Sequence, residues 1–307
     1  MKLVALLLAA ALSAPAATYY VTVAGLGGEP DYEQRFTAWA QEIDKILKGG
    51  GTDAKVETLY GAAATRAGLR SLLERIAKEA GPQDLLVLML IGHGAFDGLD
   101  YKFNLPGPDI SAVELAGLLD RIPAGRQLVV NMTSASGASI VALEKSNRVV
   151  IAATKSGTER NATVFARYWV EALRDPAADT DKNEVITALE GFRYADRKTA
   201  GFYESQKRLA TEHPLLEDTG KGDGVRAPSP ENGQGLVATT FPVVRFGAAQ
   251  RVAQDPIKRK LLARREELEQ QIDRLKYQKA ALPAEEYRKQ LAALLLDLAR
   301  TQAELDK

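Results

Sequence analysis

The sequence predicts an α/β fold, a doubly wound and mostly parallel sheet flanked by helices, followed by a C-terminal α-helical hairpin. Three observations predict it. Short apolar segments alternate with amphipathic helical segments from residue 19 to residue 173, the order that builds a parallel sheet. One short segment, residues 85–91, is apolar at every position, as expected of a strand covered on both faces. From Asp255 onward the composition turns charged and leucine-rich, with apolar residues three, four or seven apart.

The elements follow in order. Residues 19–24 are β-branched and aromatic and end at Gly25, Gly27 and Gly28, which predicts a buried strand. Phe36, Trp39, Ile43 and Leu47 place one apolar face on a helix over 32–47, stopped by Gly49-Gly50-Gly51. A strand over 55–60 precedes a helix with Thr65 as N-cap and Leu69, Leu72, Leu73 and Ile76 on its inner face. After the strand at 85–91, Ser111-x-x-Glu114 forms a capping box ahead of Leu115, Leu118 and Leu119. Strands over 127–132 and 148–154 and a helix over 162–173 complete the alternation. Residues 228–235 read as an exposed loop, and 236–246 as a last strand. Ile257, Leu261, Leu268, Ile272 and Leu275, then Tyr287, Leu291, Leu294, Leu298 and Leu305 after Leu282-Pro283, make two amphipathic, coiled-coil-like helices. Whether their stripe closes on itself, on the α/β domain or on a partner or second copy is open at this level.

Composition narrows the possibilities. With 46% hydrophobic and 26% charged residues among 307, the chain is long and apolar enough for a full core. Forty basic residues cancel forty acidic ones, so nothing electrostatic favours nucleic acid or an anionic membrane. The chain has no cysteine, which excludes disulfides and a lipid-modified cysteine anchor. Lys2, the apolar run 3–12 and Ser13-Ala14-Pro15-Ala16-Ala17 describe a secretory signal peptide over residues 1–17, cleaved after Ala16 or Ala17. The run is too short for a membrane anchor, which needs about 20 apolar residues. The expected organisation is therefore a leader (1–17), an α/β domain (18–247) and a helical hairpin (248–307), in a periplasmic or secreted protein.

In doubly wound sheets, ligands and catalytic groups gather beyond the carboxyl ends of the strands. Gly92-His93-Gly94 follows one strand and Ser134-Ala135-Ser136-Gly137 the next, so the two loops are expected side by side. His93 is placed to act as base or acid towards Ser134, the Gly94 N–H to stabilise an oxyanion, and Gly137 to permit a tight turn. A histidine in a strand-end loop is also common as a purely structural residue.

These residues carry a resemblance. The stretch 65–94, ending Leu-Met-Leu-Ile-Gly-His-Gly, resembles the histidine strand of the caspase-like and legumain-like cysteine peptidases. In that family an Ala-Cys-x-Ser-Gly type turn ends the next strand, and here Thr133-Ser134-Ala135-Ser136-Gly137 stands in its place. Residues 153–161 and 211–218 also resemble segments of bacterial legumain-like proteins, and the likeness runs in order from about residue 19 to 224. The resemblance implies a caspase-like fold with Ser134 at the nucleophile position. Cysteine is the one common nucleophile with an appreciable ionised fraction near neutral pH. A serine needs a base oriented by an acid, and no acid partner for His93 is evident in the sequence. Met132 and Thr133 also stand where an acidic residue and alanine are usual. The resemblance therefore implies a pseudoenzyme that binds a peptide or protein; the alternative is a hydrolase working with a His93/Ser134 dyad.

A second constellation lies at 179–190. Asp179, Asp181, Asn183 and Glu190 occupy positions 1, 3, 5 and 12 of an EF-hand-like loop, a spacing that surrounds one Ca²⁺ with oxygen ligands. Position 6 is Glu184 where the sharp turn calls for glycine. The same residues serve equally as turn and cap residues of a helix starting near Thr187, with no metal. No other cofactor is expected.

Overall fold

The structure is a computed structural model that describes residues 17–49 and 54–307. The predicted leader through Ala16, and Gly50 and Gly51 of the glycine stop, lie outside the described residues. The first half runs β1 (Thr18–Ala24), α1 (Pro30–Lys48), β2 (Ala54–Leu59), α2 (Arg66–Glu79) and β3 (Leu85–Ile91). Then come β4 (Gly94–Phe96), β5 (Tyr101–Phe103), β6 (Ile110–Ser111), α3 (Ala112–Asp120), β7 (Arg126–Asn131), α4 (Ile140–Leu143), β8 (Arg148–Ala152) and α5 (Phe165–Ala172). The remainder is β9 (Val185–Thr187), α6 (Ala188–Ser205), β10 (Leu215–Glu217), β11 (Pro242–Arg245), α7 (Gly247–Gln254), α8 (Pro256–Tyr277) and α9 (Ala284–Leu305).

A six-stranded sheet in the order β10-β8-β7-β3-β1-β2 organises the domain. β2, β1, β3, β7 and β8 are parallel, and β10 closes the edge antiparallel to β8. β3 explains its own sequence. Val87, Met89 and Ile91 point into the core beneath α1 and α5, while Leu86, Leu88 and Leu90 point into the core beneath α2 and α3. Alternate side chains face opposite sides of a strand, so a strand sandwiched by helices must be apolar throughout. α1 inserts Phe36, Ala40, Ile43 and Leu47 into the first core; α2 inserts Leu69, Leu72, Leu73 and Ile76 into the second. Thr65 caps α2 by accepting the Gly68 N–H at 3.0 Å.

Several expectations need correction. Ser111 caps α3 through the Glu114 N–H at 3.1 Å, but the Glu114 carboxylate turns to Arg66 and Arg70, so half of the capping box is made. The last strand shrinks to Pro242–Arg245 and pairs with β9 in a separate two-stranded sheet. Its first half, around 238–240, is a 3₁₀ turn held by Asp218, which accepts the Val237 and Ala238 N–H groups at 2.8 and 3.1 Å. Ile257, placed on the apolar stripe of α8, is exposed, whereas Leu262, Leu268, Ile272 and Leu275 are buried.

The hairpin closes on both itself and the domain. Its two helices run antiparallel, and the Lys258 ammonium at the start of α8 donates to the Leu305 carbonyl at the end of α9 at 3.0 Å. Glu266 on α8 receives the guanidinium groups of Arg126 and Arg245, which fastens the hairpin to β7 and β11. No helix among the described residues is long and apolar enough to cross a membrane.

Candidate functional site

β3 and β7 are adjacent and parallel, with Leu90 opposite Asn131, so the loops that follow them emerge together at the carboxyl end of the sheet. Ser134 and Gly94 are in direct contact there. The Ser134 hydroxyl donates to the Gly94 carbonyl and accepts the Gly94 N–H, each at 3.0 Å, and Ser134 is almost fully buried. The Gly94 N–H, expected to face an oxyanion, is engaged in this structure by the serine hydroxyl. Glycine is required at 94 for a spatial reason. A Cβ there would lie 2.5 Å from the Ser134 carbonyl oxygen and 2.6 Å from the Tyr101 ring.

The turn itself is over-determined. Ala135 takes φ 56°, a left-handed conformation that costs a non-glycine residue roughly 1–2 kcal/mol, and its N–H donates to the Glu159 carbonyl at 2.7 Å. Thr133 Oγ1 shares hydrogen bonds with the Tyr101 hydroxyl at 2.6 Å and Asn131 Oδ1 at 2.8 Å. Burial pushes the Tyr101 phenol up, so it stays protonated. Ser136 Oγ accepts the Thr154 N–H at 3.1 Å, and Gly137 donates to Thr154 Oγ1 at 2.9 Å. A Cβ on Gly137 would meet the Lys155–Ser156 backbone at 2.4 Å, so packing demands glycine at 137.

His93 occupies a different environment from Ser134. Its ring lies edge-on to Tyr32 and Phe36 of α1, with centroids 4.8 and 5.2 Å away. Desolvation in this aromatic setting pulls its pKa below the usual histidine value, against the opposing effects of the Gly27 carbonyl and the Glu29 charge. Desolvation therefore favours the neutral imidazole. Among the described residues, no hydrogen bond links the His93 ring to Ser134, and no carboxylate orients it.

The second histidine has what the first lacks. His213 Nδ1 is hydrogen-bonded to Glu159 Oε1, and the His213 N–H donates to Glu159 Oε2 at 3.1 Å. The Lys155 N–H donates to the same oxygen at 2.8 Å. Glu159 thus ties the loop after β8 to the loop before β10, and its own carbonyl holds the turn after β7. Beside it, Glu212 is buried and accepts from the Val164 N–H, the Phe165 N–H and the Tyr203 hydroxyl at 2.7, 3.2 and 2.9 Å. Burial pushes its carboxyl up to about 7, opposed by these three donors and helped by the Glu159 charge. Sequence reasoning assigned no chemical role to Glu159 or His213. They are 54 residues apart, and no spacing rule links them.

The loop at 179–190 brings carboxylate oxygens of Asp179, Asp181 and Glu190 within 4.8 Å of one another. Lys182 and Glu184 both take φ 63°, so Glu184 adopts the left-handed backbone that position 6 requires despite its side chain. The acids also hold the loop internally. Asp179 accepts the Asn183 and Glu184 N–H groups at 3.2 and 3.0 Å, and Asn183 Oδ1 accepts the Val185 N–H at 2.8 Å. Glu190 closes a complete capping box with Thr187 at the start of α6. Asp181 is pushed up by burial and by the Glu190 charge. The donor set fits a hard cation, and both readings of the sequence coexist in one geometry.

No family model matches the chain, and no curated protein matches it. Among solved structures it is similar to protein GSU0716 from Geobacter sulfurreducens, at 15% identity and a TM-score of 0.46 over 71% of this chain and 96% of that one. Similarity at this level carries no functional argument.

Proposed function

We propose that the protein is an exported, non-catalytic relative of the caspase-like and legumain-like peptidases that binds a peptide or protein segment at the carboxyl end of its sheet. The observation that carries this reading is the state of Ser134. Its hydroxyl is buried and held by both backbone groups of Gly94, without a hydrogen bond to His93. A serine nucleophile needs a base in hydrogen-bond reach, itself oriented by an acid. Neither condition is met by His93. The experiment is the Ser134→Cys substitution assayed beside wild type against a broad peptide library. Wild type is expected to cleave nothing. Cleavage by wild type that disappears in His93→Ala would replace this reading with the His93/Ser134 hydrolase.

A second reading concerns residues 179–190. We propose that Asp179, Asp181, Asn183 and Glu190 hold Ca²⁺. The positive φ at Glu184 and the convergence of three carboxylates favour it over a turn that needs no metal. Calorimetric titration of the chelator-treated protein with CaCl₂ should give one site, absent in Asp179→Ala. A flat titration of wild type removes the proposal.

A further inference from the structure

The amino-terminal end of the sheet, opposite the Ser134 turn, holds a contact at the predicted leader boundary. The Ala17 nitrogen donates to Asp84 Oδ1 at 2.7 Å, and the other oxygen of Asp84 accepts the Gly81 N–H at 2.8 Å. The Ala17 carbonyl accepts the Leu85 N–H at 2.9 Å, one step before the β1–β3 ladder begins with Thr18 opposite Leu85. Ala17 is also packed against the core beneath α2 and α3. It is therefore a built part of the domain, joined to it by both backbone groups and a methyl.

We infer that processing cuts the Ala16–Ala17 bond and that Asp84 is the acceptor for the α-ammonium group so released. The inference rests on the exported reading above, and is independent of whether the Ser134 turn binds or cleaves anything. The local sequence agrees with the contact. A cut before Ala17 puts Ala14 at the third position and Ala16 at the first position on the leader side, the small-x-small pattern that a leader peptidase reads. A cut one residue later would place Pro15 at the third position. It would also remove the donor to Asp84 and the acceptor of the Leu85 N–H, leaving two partly buried polar groups without those partners. Hydrolysis breaks the amide bond: water supplies a hydroxyl to the Ala16 carbonyl carbon and a proton to the Ala17 nitrogen. That nitrogen takes a further proton from solvent near neutral pH. The carboxylate of Asp84 then faces a cation in place of a neutral amide, and a charge-assisted hydrogen bond is the stronger of the two.

The test is the intact mass and N-terminal sequence of the full chain after export by a bacterial host. The expected sequence begins Ala-Thr-Tyr-Tyr. A start at Thr18 or at any other residue overturns the inference while leaving export standing; an unprocessed chain retained in the cytoplasm overturns the exported reading and this inference with it. A second measurement isolates the ion pair. Chains released from a cleavable fusion to begin at Ala17 or at Thr18 are compared, each with Asp84 or Asp84→Asn. The substitution should lower the thermal midpoint more in the chain that begins at Ala17. Equal shifts in the two backgrounds overturn the pairing.

Discussion

The two histidines sit at the same end of one sheet and differ in almost every respect that matters chemically. His93 follows β3 directly, is flanked by two glycines and stands next to the residue that touches Ser134. Its ring, however, lies against Tyr32 and Phe36, and among the described residues no carboxylate is hydrogen-bonded to it. His213 belongs to the segment 211–218, which drew notice as part of a family likeness without any role for its histidine, yet Glu159 receives both its ring and its backbone N–H. Adjacency to a strand end thus placed a histidine near the turn, while orientation by an acid fell to the other one. The base of a serine triad combines both properties in a single residue, and here they are divided. This division is the physical content of the non-catalytic reading.

Substitutions at the two sites would sharpen the comparison. The largest effect is expected at Glu159. Glu159→Ala removes the acceptor for three donors in a partly buried loop junction and should cost roughly 3 kcal/mol in urea unfolding. A loss below that of His93→Ala would invert the contrast. Next comes the pH dependence set by Glu212. Its folded pKa is raised from 4.5 to about 7, so the neutral acid is favoured by the fold. Its contribution is complete below the unfolded value and is lost as pH rises through about 7. On the order of 3 kcal/mol is involved, and Glu212→Gln should flatten the stability profile in that window. An unchanged profile in the variant would remove Glu212 from the account. His93 runs the other way: its folded pKa is depressed, so its contribution is present above the unfolded value and lost as pH falls through the folded one. Proton-detected titration of the two imidazoles should place His93 below the unperturbed value of about 6.5. The smallest change is His93→Ala itself, which removes two edge-on ring contacts and should cost about 1 kcal/mol.

How much was legible in advance can be read from particular residues. The run 85–91 announced a strand covered on both faces because alternation of side chains forces a sandwiched strand to be apolar at every position. Thr65 announced a helix start because a side-chain oxygen satisfies an orphan N–H three residues on. Both signals are local. The small sheet β4-β5-β6 and the strand β9 were missed because these strands are two or three residues long, too short to display a period. Gly94 was expected to offer an N–H to an oxyanion and Gly137 to permit a tight turn, whereas a Cβ at either position would strike neighbouring backbone or the Tyr101 ring.

By itself the sequence determined the doubly wound layering, the boundaries of most long elements, the helical hairpin and the meeting of the 93–94 and 134–137 loops. Each of these follows from periodicity and from the rule that parallel strands deliver their loops to one end of the sheet. Only the tertiary structure decided that the Gly94 N–H is spent on Ser134, that the His93 ring rests on aromatics instead of an acid, that Glu159 and His213 are joined, and that Glu266 fastens the hairpin to the domain. Hydrogen bonds and ion pairs between residues tens of positions apart leave no period in a sequence. They exist because packing of the core brings distant loops within about 3 Å, where direction and partner are settled by shape.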